Sequence, residues 1–133
     1  MISFEEFMMQ EGSPIYQQIL LYIKRGVIAG NISDGDELPS RRVLSALLGV
    51  NPNTVQKAYR LLEEENLIQT LQGSKSTMAL TEEKIMRIRE ELLEADAKGA
   101  VQKLKQMGIS KKEAIGLIEK YWESTEKEER EGL

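Results

Sequence analysis

The sequence predicts a mostly α-helical fold with one small β-hairpin, in which three helices and the hairpin come first and two longer helices follow. Three observations carry this. Apolar residues recur at helical spacing in five stretches; a glycine and an Asn-Pro pair separate the second and third of these by only a few residues; and apolar and polar residues alternate around Gly73-Ser74.

Ser13-Pro14 opens the first helix, whose stripe is Ile15, Ile19, Tyr22, Ile23 and Val27 and whose end is marked by Gly30-Asn31. "ISDGDELP" then makes a turn. Ser40 is placed to cap a short second helix, "RRVLSALL", which Gly49 stops after about two turns. Asn51 can accept from a free amide of the next first turn, and Pro52 supplies a preset φ where its missing N–H costs nothing. A glycine-headed connection this short between two helices is the mark of a helix-turn-helix. Val43, Leu44, Leu47, Val55, Ala58 and Leu62 are expected to share one core with the first helix. "LIQTLQGSKSTMAL" supplies the hairpin, which makes the unit a winged helix-turn-helix. That unit is expected to hold its own core, so residues 1–80 should fold alone.

The third helix has two faces. At about 100° per residue, Val55, Ala58, Tyr59 and Leu62 fall on one arc, and Asn53, Gln56, Lys57 and Arg60 on an arc nearly opposite. The second arc holds two cations and two carboxamides and no carboxylate. A polar outer face is ordinary for any surface helix, but this one matches the needs of a DNA groove, where amides pair with adenine and cations meet phosphate or guanine. Charge along the chain points the same way. From Leu38 to Leu62 there are Arg41, Arg42, Lys57 and Arg60 and no acid, in a chain with 22 acids and 18 bases. From Asn66 to Thr81 the only charge is Lys75, so the Glu63 to Glu65 triplet alone interrupts the acid-free region. The net charge of −4 argues against indiscriminate polyanion binding, which makes charge placement the more informative quantity.

Composition excludes other classes. At 133 residues the chain is one domain or a small domain with an appendage. It has no cysteine and no histidine, which removes disulfides, thiolate and imidazole metal sites and the commonest general base. No HExxH motif, Gly-rich phosphate loop or nucleophile elbow anchors a carboxylate site, so the expectation is no enzyme, no cofactor and no metal. Phe4, Phe7, Met8 and Met9 are broken by Glu5 and Glu6, which resembles no signal peptide, and no apolar run approaches the roughly 20 residues that span a bilayer. The expected location is the cytoplasm, with no membrane partner.

In the second half, Thr81 caps a long helix opened by Glu82 and Glu83, with Ile85, Ile88, Leu92 and Ala95 as one stripe and Leu93, Ala97, Ala100, Leu104 and Met107 as another. Gly108 ends it. "SKKE" at Ser110 to Glu113 is a capping box for a last helix carrying Ala114, Ile115, Ile118, Tyr121 and Trp122, and from Ser124 the charged chain is expected to fray. Two such helices are too small to close a core alone. A second copy is the simplest partner, as a four-helix bundle across a two-fold axis; packing back on the winged helix is the competing arrangement.

The run "PIYQQI…IAGNISDGDELPSRRVLSALLGVNPNTVQKAYRLLEEENLI" resembles the N-terminal domain of the GntR family of bacterial transcription regulators, and "GVNPNTVQKAY" resembles its small YtrA-type subfamily. The resemblance implies a sequence-specific, homodimeric regulator of transcription, expected to be a repressor, on an inverted-repeat operator in double-stranded DNA, and in this subfamily often of transporter genes. Carried onto this sequence, the "PSxR" segment implies DNA contact at Ser40 and Arg42, with Arg41 adding charge where many members have an acid. The recognition helix contributes Asn51, Asn53, Thr54, Gln56 and Lys57, to which helical periodicity adds Arg60. At the wing, Gly73 and Lys75 fit the family pattern, while Ser74, Ser76 and Met78 depart from its Gly-Lys/Arg-Gly-Thr-Phe tip. The expected dimer interface comprises Ile85, Ile88, Leu92, Ala95, Ala100, Leu104, Ile115, Ile118 and Trp122. The chain thus divides into an arm (1–12), the winged helix-turn-helix (13–80), a helical dimerisation segment (81–124) and a charged tail (125–133). The sequence names no small-molecule effector. A winged-helix module that binds protein rather than DNA is the alternative reading.

Overall fold

The computed structural model of the chain describes residues 1–71 and 75–132. Its elements are α1 (Ile15–Ile28), α2 (Arg41–Leu48), α3 (Pro52–Glu64), β1 (Ile68–Thr70), β2 (Ser76–Met78), α4 (Glu82–Gln106) and α5 (Lys111–Arg130). The chain divides into two compact units, Met1–Leu92 and the remainder from Leu93 onward.

In the first unit the helix boundaries follow local chemistry. The Ser40 hydroxyl accepts from the Val43 amide, the Asn51 carboxamide accepts from the Asn53 amide, and Pro52 stands at the first position of α3. Gly49, at φ 68°, closes α2 in the left-handed conformation, and Asn66, at φ 60°, does the same after α3, where its carboxamide makes that region tolerable. The hairpin pairs Ile68 with Met78, Gln69 with Thr77 and Thr70 with Ser76. On its other edge β2 meets the loop before α2: Glu37 bridges Thr77, the Leu38 amide donates to the Ser76 carbonyl at 2.9 Å, and the Met78 amide to the Asp36 carbonyl at 2.8 Å. The base of the wing is therefore central in a three-stranded arrangement.

The core joins Ile19, Ile23 and Val27 of α1 to Leu44, Val55, Ala58, Tyr59 and Leu62, and to Leu67, Ile68, Met78 and Leu80 of the hairpin region. Two expected core residues are outside it: Val43 is 52% exposed and Leu47 64%. The buried side of α2 is set by Leu44, Ser45 and the half-buried Leu48, and at about 100° per residue Val43 and Leu47 lie more than a quarter turn from its centre. The arm is also more than an arm. Ile2 and Phe4 are buried, the Ile2 amide donates to the Glu37 carbonyl at 2.8 Å, and the Phe4, Phe7 and Tyr22 rings pack with centroids 4.9 to 5.9 Å apart.

The core also continues past the expected boundary at residue 80. Ile88 is 3% exposed and Leu92 9%, both within the winged-helix core, with Ile85 packed against it. The first three turns of α4 contribute to this core. Polar bonds hold the join: the Lys84 ammonium donates to the carbonyls of Asn66 (2.6 Å) and Ala79 (2.9 Å), and buried Lys24, paired with Glu65 at 2.8 Å, also approaches Glu91 of α4 at 3.9 Å. The sequence pattern could not separate the two roles, because an apolar stripe reads the same against a core and against a second subunit.

In the second unit, α4 runs through Gly99 without interruption to Gln106, Gly108 makes the turn at φ 75°, and the Ser110 hydroxyl accepts from the Glu113 amide. The expected fraying after Ser124 gives way to helix as far as Arg130, supported by Thr125 bonding back to the Tyr121 carbonyl and by the Trp122 indole donating to Glu126 at 3.1 Å. α5 buries none of its residues.

Candidate nucleic-acid interface

α3 carries its core stripe, Val55, Ala58, Tyr59 and Leu62, fully buried, and so holds Asn53, Gln56, Lys57 and Arg60 in solvent on the opposite side. Asn51 and Ser40 are exposed at the starts of α3 and α2, each already using its side-chain oxygen as a cap; Thr54 is half-buried. Arg42 is exposed, with no ion pair among the described residues. The Ser45 hydroxyl donates to the Arg42 carbonyl at 3.0 Å, which steadies the turn that presents it.

The remaining cations are steered by neighbours. The Lys57 ammonium lies 4.0 Å from the Tyr16 ring centroid, an attraction to the ring face that orients it without neutralising it. Arg60 approaches Glu64 at 3.9 Å, an exposed pair worth little. Lys75 pairs with Glu37 at 3.2 Å and stays largely exposed. Gly73 lies outside the described residues.

Arg41 behaves differently. Its Nη2 donates to Glu63 Oε1 at 2.9 Å, its guanidinium carbon lies 5.1 Å from the Tyr59 ring centroid, and its side chain is 24% exposed. Glu63 Oε1 also accepts from the Thr70 hydroxyl at 2.6 Å. Tyr59 donates to the Pro39 carbonyl at 2.7 Å. Burial pushes its phenol far above the ordinary tyrosine range, against a smaller downward pull from Arg41, so it remains a neutral donor. Sequence reasoning missed both contacts. Arg41 and Glu63 are 22 residues apart and share no helix, so no periodicity links them. The sole hint was an acid triplet interrupting an otherwise acid-free stretch.

A short helix, a glycine turn and a second helix that keeps amides and cations outward, with a hairpin beside it, define a winged helix-turn-helix DNA-binding regulator of transcription. The chain belongs to the GntR family: residues 15–77 match the model of "Bacterial regulatory proteins, gntR family". It is 39% identical over 89 residues, 62% of this chain and 68% of the relative, to the HTH-type transcriptional repressor YtrA of Bacillus subtilis (strain 168). Among solved structures it is similar to a GntR family transcriptional regulator from Listeria monocytogenes, with TM-score 0.74 and 30% identity over 84% of this chain and 98% of that one. It is also similar to YtrA from Sulfolobus acidocaldarius, a GntR-family transcription factor, with TM-score 0.51 and 27% identity over 87% of this chain and 94% of that one. Among the described residues, no helix is long and apolar enough to cross a membrane.

Proposed function

We propose that this regulator acts as a homodimer on an inverted-repeat operator and represses the genes it controls, with no catalytic activity of its own. One observation carries the dimer: α5, 20 residues long, has no buried residue and exposes Ile115, Ile118, Tyr121 and Trp122, the last at 68%. Isolated exposed apolar residues are common, but a continuous face of them on one helix marks a surface that another chain covers. Ala95, Ala100 and Leu104 of the distal part of α4 join that surface; Ile85, Ile88 and Leu92 do not, because the winged-helix core uses them.

On the DNA side, Arg42 and Lys57 meet phosphate and place the domain, Asn53, Thr54 and Gln56 read base edges in the major groove, and Arg60 and Lys75 add flanking backbone contact. Repression follows from occupancy over a promoter, which blocks polymerase without a further surface, and the Bacillus subtilis relative is itself a repressor. Likeness to the YtrA type favours transporter genes as targets, and the site of action is the cytoplasm. Footprinting with the full chain on the DNA flanking its own gene is expected to protect two half-sites about one helical turn, or a multiple, apart. Protection of a single asymmetric half-site by a monomer would overturn the proposal.

A further inference from the structure

We propose that Arg41 is a positioning residue acting through Glu63, and that it touches no DNA. The inference rests on the DNA-binding reading of this face. Glu63 is a carboxylate at the end of α3, beside the first strand of the wing and next to the face proposed for DNA. Its Oε1 accepts from Arg41 at 2.9 Å and from Thr70 at 2.6 Å. Thr70 Oγ1 in turn lies 3.3 Å from the hydroxyl of Ser76, which is buried in β2. One chain of polar contacts thus runs from the start of α2, across the end of α3, into both strands at the base of the wing.

Two features argue against a phosphate role for Arg41. Its guanidinium is drawn in over Tyr59, and its Nε is the one buried side-chain nitrogen or oxygen without a hydrogen-bond partner among the described residues. An arginine kept for phosphate would leave that N–H in water. The buried donor is a cost, tolerated here because the same posture sets the cation against Glu63. Arg41 cancels the carboxylate's repulsion of the polyanion and holds the wing base to the helix that presents Arg42. The second carboxylate near the wing, Glu37, pairs with Lys75 at 3.2 Å, a lysine that unlike Arg41 stays largely exposed.

The test uses the full chain and a 30-base-pair duplex of mixed sequence, titrated at several salt concentrations with wild type, Arg41→Ala, Glu63→Gln and the double variant. Arg41→Ala should bind on the order of tenfold more weakly, because an uncovered carboxylate now faces the phosphates. The double variant should return to within about twofold of wild type with an unchanged salt slope, since no phosphate contact has been removed. A double variant as weak as Arg41→Ala, with its slope flattened by about 0.9, would make Arg41 a direct ligand and overturn the proposal. Thermal unfolding of the same four proteins reads the pairing without DNA: non-additive losses support it, additive losses overturn it. Should wild type bind no duplex, the DNA-binding reading fails, and the unfolding cycle still decides whether Arg41 and Glu63 are coupled. If Arg41→Ala does not fold, Arg41→Gln replaces it with the same expected pattern.

Discussion

Cutting the chain at residue 80 should unfold the DNA-binding unit, whereas cutting it at residue 96 should not. The shorter fragment loses Ile88 and Leu92, both nearly sealed in the core. Burying an aliphatic side chain is worth about 1.5–3 kcal/mol, so the pair contributes roughly 3–6 kcal/mol. Lys84 goes with them, and its bonds to the Asn66 and Ala79 carbonyls add on the order of 1–2 kcal/mol for a half-buried donor. The sum approaches the whole stability of a typical small domain, about 5–15 kcal/mol. Circular dichroism melts of the two fragments measure the difference. Residues 1–96 should melt cooperatively, and residues 1–80 should be largely unfolded at 25 °C or melt at least about 15 °C lower, at roughly 4–8 °C per kcal/mol for a unit of this size. Ile88→Ala in the longer fragment supplies a graded control, expected to cost about 2–5 kcal/mol. Equal melting temperatures for the two fragments would return Ile88 and Leu92 to the subunit interface and refute the core assignment.

Three further outcomes are expected. Arg42→Ala should weaken binding to every duplex alike and flatten the dependence of log K on log salt by about one unit, as titrations at several salt concentrations would show. Asn53→Ala and Gln56→Ala should leave binding to mixed-sequence DNA intact while reducing discrimination between operator and non-operator by about 1–3 kcal/mol per lost base contact, read by competition. Trp122→Glu with Ile118→Glu should yield a monomer in analytical ultracentrifugation and lower affinity for a two-half-site operator by about 10²–10⁴, the avidity of linked modules, with single half-site affinity unchanged.

Local chemistry was legible in the sequence and long-range chemistry was not. Ser40, Asn51 and Ser110 cap helices as read, and Gly49 and Gly108 stop them, because each acts on amides or dihedrals within a few residues. The outward face of α3 was equally legible, since one buried stripe fixes the other side of a helix. Val43 and Leu47 failed because α2 has barely two turns, too few for a stripe to declare its centre. Glu37, placed in a turn by its neighbours, became the partner of Thr77 through a strand 40 residues downstream. The role of Arg41 needed a partner on another helix, and the division of α4 between core and exposed face needed the packing of α1 and the hairpin.

The seating of β2 between β1 and the Asp36–Leu38 loop governs how this region can open. The Leu38 and Met78 amides are donors in that loop's pairing with β2, and the Ala79 amide donates to Leu67 across the hairpin at 2.8 Å. Release of β2 breaks both edges at once, and the loop leads directly into Pro39 and the Ser40 cap. Hydrogen–deuterium exchange should therefore find these three amides exchanging at one common rate, as a single cooperative unit in the sense of local unfolding. Thermal fluctuations would then lose the wing base and the start of α2 together, so that the surface offered to DNA is either whole or absent.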